Sequence, residues 1–237
     1  MHLSKRLQAV ADFVTPGNRV ADIGCDHAHT SIYLMEKKIA PFIVAMDVNQ
    51  GPIDHAKENI KHYKFQDRID TRKSDGMEKL NIGEVDTILI AGMGGALTVQ
   101  ILSARMDIVN SVRELVLQPQ SDLHRVRKMI QDSGFLIIQE TMIREFGKIY
   151  VMMKAWPKQE VKKQEDFVLE TGAHFYYGRL LLEQANPILY KFILRDKRLN
   201  EAIEENLNSE ITENTVARHK VITKKLNIIQ DGLNYYK

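Results

Sequence analysis

The residues of this chain best placed to do chemistry are acids and a glycine at the ends of apolar runs. Asp22, Gly24 and Asp26 lie in Val20-Ala21-Asp22-Ile23-Gly24-Cys25-Asp26-His27, and Asp47 ends the next apolar run. Arg19–Ile23 reads as a strand running straight into a turn at Gly24, with helix-compatible sequence from about Thr30. In an open α/β sheet, ligands sit in the crevice beyond the carboxyl ends of the strands. A glycine there lets the backbone come close to a ligand. Acids around such a crevice make a poor phosphate cradle, because phosphate wants backbone N–H groups and positive charge. They suit a ligand with a cationic end and ribose hydroxyls. S-adenosylmethionine is the common cofactor of that kind, so these residues point to methyl transfer.

Later strand ends extend the pattern. Asp47-Val48 follows the second strand, where an acid can accept both ribose hydroxyls. Asp75-Gly76 follows the third, where an acid can meet the adenine amino group, and Gly92-Met93-Gly94-Gly95 follows the fourth. The expected cofactor residues are therefore Asp22, Gly24, Cys25, His27, Asp47, Val48, Asp75, Gly76, Gly92 and Met93. Gly94 and Gly95 leave room for a planar methyl acceptor, or simply let a helix pack close to the sheet. Gln118 and Gln120, around Pro119, can bond the Watson–Crick edge of a base or stand in solvent as loop residues. The single cysteine, Cys25, sits in the cofactor loop, which argues against a covalent thiolate mechanism and against any intrachain disulfide. His27 and His29 lack a plausible third ligand, so no metal is expected.

The elements needed to position these groups alternate. Strands are expected at Arg19–Ile23, Phe42–Asp47, Ile69–Lys73, Thr87–Ala91, Glu114–Leu117, Phe135–Met142 and Ile149–Lys154. Helices are expected at Ser31–Lys38, Pro52–Tyr63, Gly95–Arg105 and Asp122–Asp132. Such alternation argues for a mostly parallel, helix-covered sheet. Residues 143 to 148 read as a loop joining the last two strands into an antiparallel hairpin. A seven-strand sheet with that ending is the Rossmann-like architecture of class I methyltransferases. Leu3, Leu7, Val10, Ala11 and Val14 follow helical spacing, which either closes one side of the crevice or covers a sheet edge.

After Pro157 the composition changes, dividing the chain into 1–157 and 158–237. Residues 158 to 165 read as a charged linker. Ile188, Phe192, Leu199, Ile203 and Leu207 form one apolar stripe, and Ile222, Leu226, Ile229 and Leu233 another. Asn206-Leu207-Asn208-Ser209 breaks the pattern between them, and Ser209 or Thr212 can cap the second helix. The expectation is an antiparallel, coiled-coil-like helical hairpin.

With 33 basic and 31 acidic residues, the net charge of +2 gives only weak support for a nucleic-acid partner. Apolar runs are far too short to span a bilayer. The first residues, Met1-His2-Leu3-Ser4-Lys5-Arg6, lack the apolar core of a secretory signal, so the expected compartment is the cytoplasm. A nicotinamide-dependent oxidoreductase is the rival reading from another enzyme class. The missing second and third loop glycines and the added Asp26 count against it.

The motifs Asp22-Ile23-Gly24-Cys25-Asp26-His27-Ala28, Asp75-Gly76, Ala91-Gly92-Met93-Gly94-Gly95 and Leu117-Gln118-Pro119-Gln120 together resemble the bacterial tRNA (adenine-22-N1)-methyltransferases. Leu3-Ser4-Lys5-Arg6-Leu7 matches as well, and the likeness spans essentially the whole chain. One departure lies at His29-Thr30-Ser31, where relatives more often carry an aromatic and then Leu-Pro. The resemblance implies S-adenosylmethionine as cofactor and methylation of N1 of a D-arm adenine in tRNA, with no DNA or membrane partner and no protein partner specified. It makes Asp26 the expected catalytic carboxylate near the acceptor. It makes the helical hairpin the tRNA grip, through Lys191, Arg195, Lys197 and Arg198 on one helix and Arg218, Lys220, Lys224 and Lys225 on the other. The plainer reading of those clusters is two solvated faces. The looser functional alternative is a methyltransferase for another RNA or a small molecule.

Overall fold

The order of the strands in the sheet is what creates a crevice. In the computed structural model, which describes residues 2–208 and 213–237 (side chains of 208 and 213–216 excepted), the chain begins with α1 (Lys5–Ala11). Ser4 caps it, its Oγ accepting from the Leu7 amide at 3.2 Å. Then follow β1 (Val20–Ile23), α2 (His29–Glu36), β2 (Ile43–Asp47), α3 (Gln50–His62) and β3 (Ile69–Lys73). The second half holds β4 (Thr87–Ala91), α4 (Gly95–Ala104), the short α5 (Met106–Val109), β5 (Glu114–Gln118), α6 (Leu123–Asp132), β6 (Phe135–Glu145) and β7 (Lys148–Pro157).

Among the described residues these strands form one seven-stranded sheet in the order β3-β2-β1-β4-β5-β7-β6. The chain moves outward one way from β1 and the other way from β4. The switch between those two neighbours is where an open α/β sheet binds its ligand. The strands β1 to β5 run parallel, and β7 is antiparallel to both β5 and β6. All of β1 and most of β2, β4 and β5 are buried, as expected for a parallel sheet covered on both faces.

The hairpin corrects one expectation. Residues 143 to 148 are not a loop: β6 continues to Glu145 and β7 starts at Lys148, leaving only Phe146 and Gly147 to turn. Ile143 and Tyr150 pack against the core, so the alternation of the strands extends further than the strongly apolar residues. At the amino end of the sheet, the buried Glu114 carboxylate collects the Thr15 amide and hydroxyl, the Thr87 hydroxyl, Lys154 Nζ and Trp156 Nε1.

Contacts divide the chain into two compact units, 1–168 and 169–237. The sequence places the change at Pro157, but Val161 is buried, and the short 3-10 turns Lys158–Glu160 and Gln164–Asp166 stay with the first unit. The second unit holds α7 (Gly172–Tyr177), α8 (Arg179–Glu183), α9 (Pro187–Asn208) and α10 (Glu213–Leu233). The helices α9 and α10 pack on each other, and α7 packs on α10. The expected α9 stripe is displaced by one residue. Leu189, Ile193 and Asn200 are buried, whereas Leu199 is 55% exposed. The reason is a polar interior row. Asp196 accepts from the Tyr177 hydroxyl at 2.7 Å and the Asn200 amide at 3.0 Å, and pairs with Lys225 at 3.0 Å. An apolar count cannot see a seam whose centre is an ion pair. On α10, Ile222 and Ile229 are buried as expected. Ser209 and Thr212, the possible caps, lie outside the described residues. No described helix is long and apolar enough to cross a membrane.

Candidate active site

The β1–β2 register sets the site. Ile23 pairs with Met46, so Asp47 stands beside Gly24 at the strand ends. The amides of Gly24 and Cys25 both donate to the Met46 carbonyl, at 2.8 and 2.9 Å, which folds the loop back over β2. Gly24 has φ 74°, and a Cβ there would lie 2.2 Å from the Met93 methyl group. The backbone conformation is what favours glycine here, since the Met93 methyl is the far end of a flexible side chain that can shift. Asp26 and Ala28 also take positive φ, 50° and 59°, which turns the chain into α2.

A cleft of about 420 Å³ opens at this point. Asp22, Gly24, Cys25, Asp26 and His27 line it from β1 and its loop, Asp47 from β2, and Gly92 and Met93 from β4. Gln120 closes it from beyond β5. The cleft also takes in Arg6, Leu7, His29, Thr30, Asn49, Pro52 and Ala91, none of which the strand-end pattern marks as cofactor residues. Asn49 and Pro52 follow directly on the β2 end, a signal that was available. Arg6 is marked by no strand-end pattern; it lies in the Leu3–Leu7 motif of the helix that could close the crevice, and it arrives by tertiary packing of α1. Its Nη1 donates to Gln118 Oε1 at 2.7 Å. The helix α1 therefore walls the cleft.

Other expected residues are not among those that line it. Val48 is exposed, and Asp75 and Gly76 do not reach the lining. Gly76, at φ 51°, packs against Ile101. A Cβ on Gly95 would sit 2.2 Å from the Ser121 carbonyl, so close packing of α4 on the following loop accounts for that glycine, and Gly94 precedes it as the helix N-cap. Gln118 is fully buried and held by Arg6. Lys191, Arg195, Lys220 and Lys224 are exposed in the helical unit. Lys225 is not free: it pairs with Asp196 and lies 4.2 Å from the Tyr176 ring centroid. Lys197 pairs with Glu201 at 3.7 Å.

The electrostatics suit a cationic ligand. Asp22 is buried, and burial raises its pKa to about 6 against hydrogen bonds from Ser31, with Asp47 adding repulsion. Ser31 Oγ donates to it at 2.6 Å, so the stretch that departs from the family pattern supplies the partner of this acid. No basic side chain neutralises Asp22 among the described ion pairs. His29 Nδ1 is buried without a hydrogen-bond partner, and burial lowers its pKa. An under-partnered buried acid and an orphaned ring nitrogen in one cleft fit the ammonium and hydroxyl donors of S-adenosylmethionine. Burial beside Asp22 and Asp47 pushes the Cys25 thiol up, away from thiolate chemistry. His27 lies between His29 and His55, ring centroids 5.6 and 5.1 Å away. Among the described residues, no group of three or more His, Cys, Asp or Glu is arranged to hold a metal ion.

This sheet order, with an acid-lined cleft at its switch point, defines a class I S-adenosylmethionine-dependent methyltransferase. The chain belongs to the family described as "Methyltransferase domain", whose model matches residues 3–153. It is similar to tRNA (adenine(22)-N(1))-methyltransferase of Bacillus subtilis, 28% identical over 99% of this chain and 98% of that protein. The solved structure of a B. subtilis tRNA methyltransferase superposes with a TM-score of 0.91 at 28% identity, covering 98% of this chain and 99% of that one. A Streptococcus pneumoniae protein solved in complex with S-adenosyl-L-methionine gives 0.84 at 27% identity, covering 98% of this chain and 100% of that one.

Proposed function

We propose that this protein transfers a methyl group from S-adenosylmethionine to N1 of adenine 22 in the D-arm of tRNA. The observation that carries the reading is the end-to-end match with the B. subtilis enzyme, which includes the helical unit as well as the sheet. Bound S-adenosylmethionine supplies an electrophilic methyl group on a sulfonium.

The chain's own task is to bind, orient and hold charge. Asp47 accepts the ribose hydroxyls, and Asp22 faces the cationic end of the cofactor. Gly24, Gly92 and Met93 shape the floor on which the reacting groups meet. Neutral adenine N1 has an in-plane lone pair and needs no covalent nucleophile, so alignment is the main requirement. Asp26, exposed at the cleft with His27 Nε2 at 3.5 Å, is placed to accept a hydrogen bond or a proton from the exocyclic N6. Gln120 is the amide that reaches the base edge, and Gln118 acts through Arg6. The helical unit, residues 169–237, serves as the tRNA-binding domain, with Lys191, Arg195, Lys220 and Lys224 contacting phosphates.

The deciding measurement is methylation of bulk tRNA from a strain lacking the protein, with nucleoside mass spectrometry identifying the modified base and reverse-transcription stops mapping its position. Appearance of 1-methyladenosine at position 22 is expected. Methylation at another base or of no tRNA would overturn the reading. For the helical unit, replacing Lys191, Arg195, Lys220 and Lys224 together with Gln should weaken tRNA binding and flatten its salt dependence, by roughly 0.7 to 0.9 in slope per lost contact. An unchanged slope would remove those four residues from the interface.

A further inference from the structure

The turn between β6 and β7 carries a residue that local physics disfavours twice. Phe146 and Gly147 join Glu145 to Lys148, with φ of 48° and 78°. Positive φ at both central positions is the signature of a type I′ turn, where Asn-Gly is the favoured pair. A bulky aromatic at positive φ is an outlier. Phe146 is also 93% exposed, so packing offers no return for its apolar ring. A broken local rule with no compensating contact is expected at functional positions.

Its location says which function. Glu145 accepts the backbone amides of Lys5 at 2.7 Å and Arg6 at 3.3 Å, which fastens the turn to the start of α1. Arg6 lines the cleft, and its guanidinium lies 5.6 Å from the ring centroid of Tyr150 on β7. The exposed ring is thus one residue away from a carboxylate bonded to the cleft wall. Around it, Lys5, Arg144 and Lys148 are exposed, while the charge of Glu145 is engaged by α1. An aromatic ring in a cationic setting is the chemistry that holds single-stranded nucleic acid: bases stack on the ring and phosphates meet the cations.

We infer that Phe146 is a base-stacking residue for the RNA substrate. It packs against a nucleotide next to the adenine presented to the cleft, and Arg144 and Lys148 hold the flanking phosphates. A base methylated on its pairing edge must leave its stack, and the ring takes the place of a lost stacking neighbour. This rests on the tRNA reading above.

The test uses Phe146→Asn, a substitution the turn itself prefers, so misfolding is not a route to a false result. Its melting temperature should equal or exceed that of the wild type, and its affinity for S-adenosylmethionine should be unchanged. Its kcat/KM on tRNA should fall about tenfold, within the range of one lost stacking contact, and Phe146→Trp should restore it. Wild-type kcat/KM in the Asn variant, or an equal loss of cofactor affinity, would overturn the inference alone. No methyl transfer to tRNA by the wild-type protein would overturn the underlying reading, and the inference with it.

Discussion

Glu114 and Asp22 are both buried carboxylates at opposite ends of the same sheet, and the fold treats them in opposite ways. Glu114, at the amino end of β5, is met by Lys154 Nζ at 2.9 Å and by donors from Thr15, Thr87 and Trp156. Asp22, near the carboxyl end of β1, has Ser31 and a repelling neighbour, Asp47. Charge buried with full partners ties elements together. Charge buried without them is a cost that a ligand can relieve. The amino end of the sheet is therefore built for stability and the carboxyl end for binding.

The largest effect should come from the satisfied end. Glu114→Ala leaves Lys154, the Thr15 and Thr87 hydroxyls and the Trp156 indole without their shared acceptor, which costs about 3–5 kcal/mol. Denaturant unfolding should show it, with little change in cofactor affinity of the folded fraction. A loss below about 1 kcal/mol would break the contrast.

Asp22→Asn should have the opposite sign. A folded-state pKa of about 6 against 3.8 unfolded means that ionised Asp22 costs roughly 3 kcal/mol of stability at neutral pH. That cost disappears as pH falls through 6 toward 4, because the folded state then takes up the proton first. The Asn variant should therefore be as stable as the wild type or more so above pH 6, and the difference should shrink on acidification. Its affinity for S-adenosylmethionine should fall about tenfold or more, as for a lost charged hydrogen-bond partner. In the wild type that affinity should be flat above pH 6 and drop below it. A variant that melts lower and still binds the cofactor normally would make Asp22 a structural residue like Glu114.

The smallest effect on the fold belongs to Asp47. It is partly exposed, and its carboxylate accepts the Asn49 amide at 2.9 Å. Asp47→Ala should alter stability by no more than about 1 kcal/mol, in keeping with one hydrogen bond. Calorimetry should show cofactor affinity weakened by about 2 kcal/mol. Unchanged affinity would remove Asp47 from the ribose site.

Much of the sheet is legible in the sequence because parallel strands buried on both faces are continuous apolar runs. Thr87–Ala91 matches its strand to the residue for that reason; Ile69–Lys73 also matches to the residue, although it is a mostly polar strand at the edge of the sheet with only Ile69 buried. The residues at their carboxyl ends then share one edge, so Asp22, Gly24, Asp47 and Gly92 converge on one cleft without any knowledge of side-chain packing. Helices are harder to read. A one-residue change of phase turns a face by about 100°, and the polar centre at Asp196 hides the true phase of α9. The stripe through Leu199 and the seam through Ile193 look equally good as patterns.

Sequence by itself determines the alternation of strands and helices, the cofactor loop and the family, because these depend on local runs and short motifs. Only the tertiary structure decides that Arg6 enters the cleft, that Asp75, Gly76 and Gln118 stay out of its lining, and that Lys225 is committed to Asp196. It alone shows that Glu114 is neutralised where Asp22 is not. The reason is that partnership between side chains far apart in the chain is set by register and packing, which no local pattern encodes.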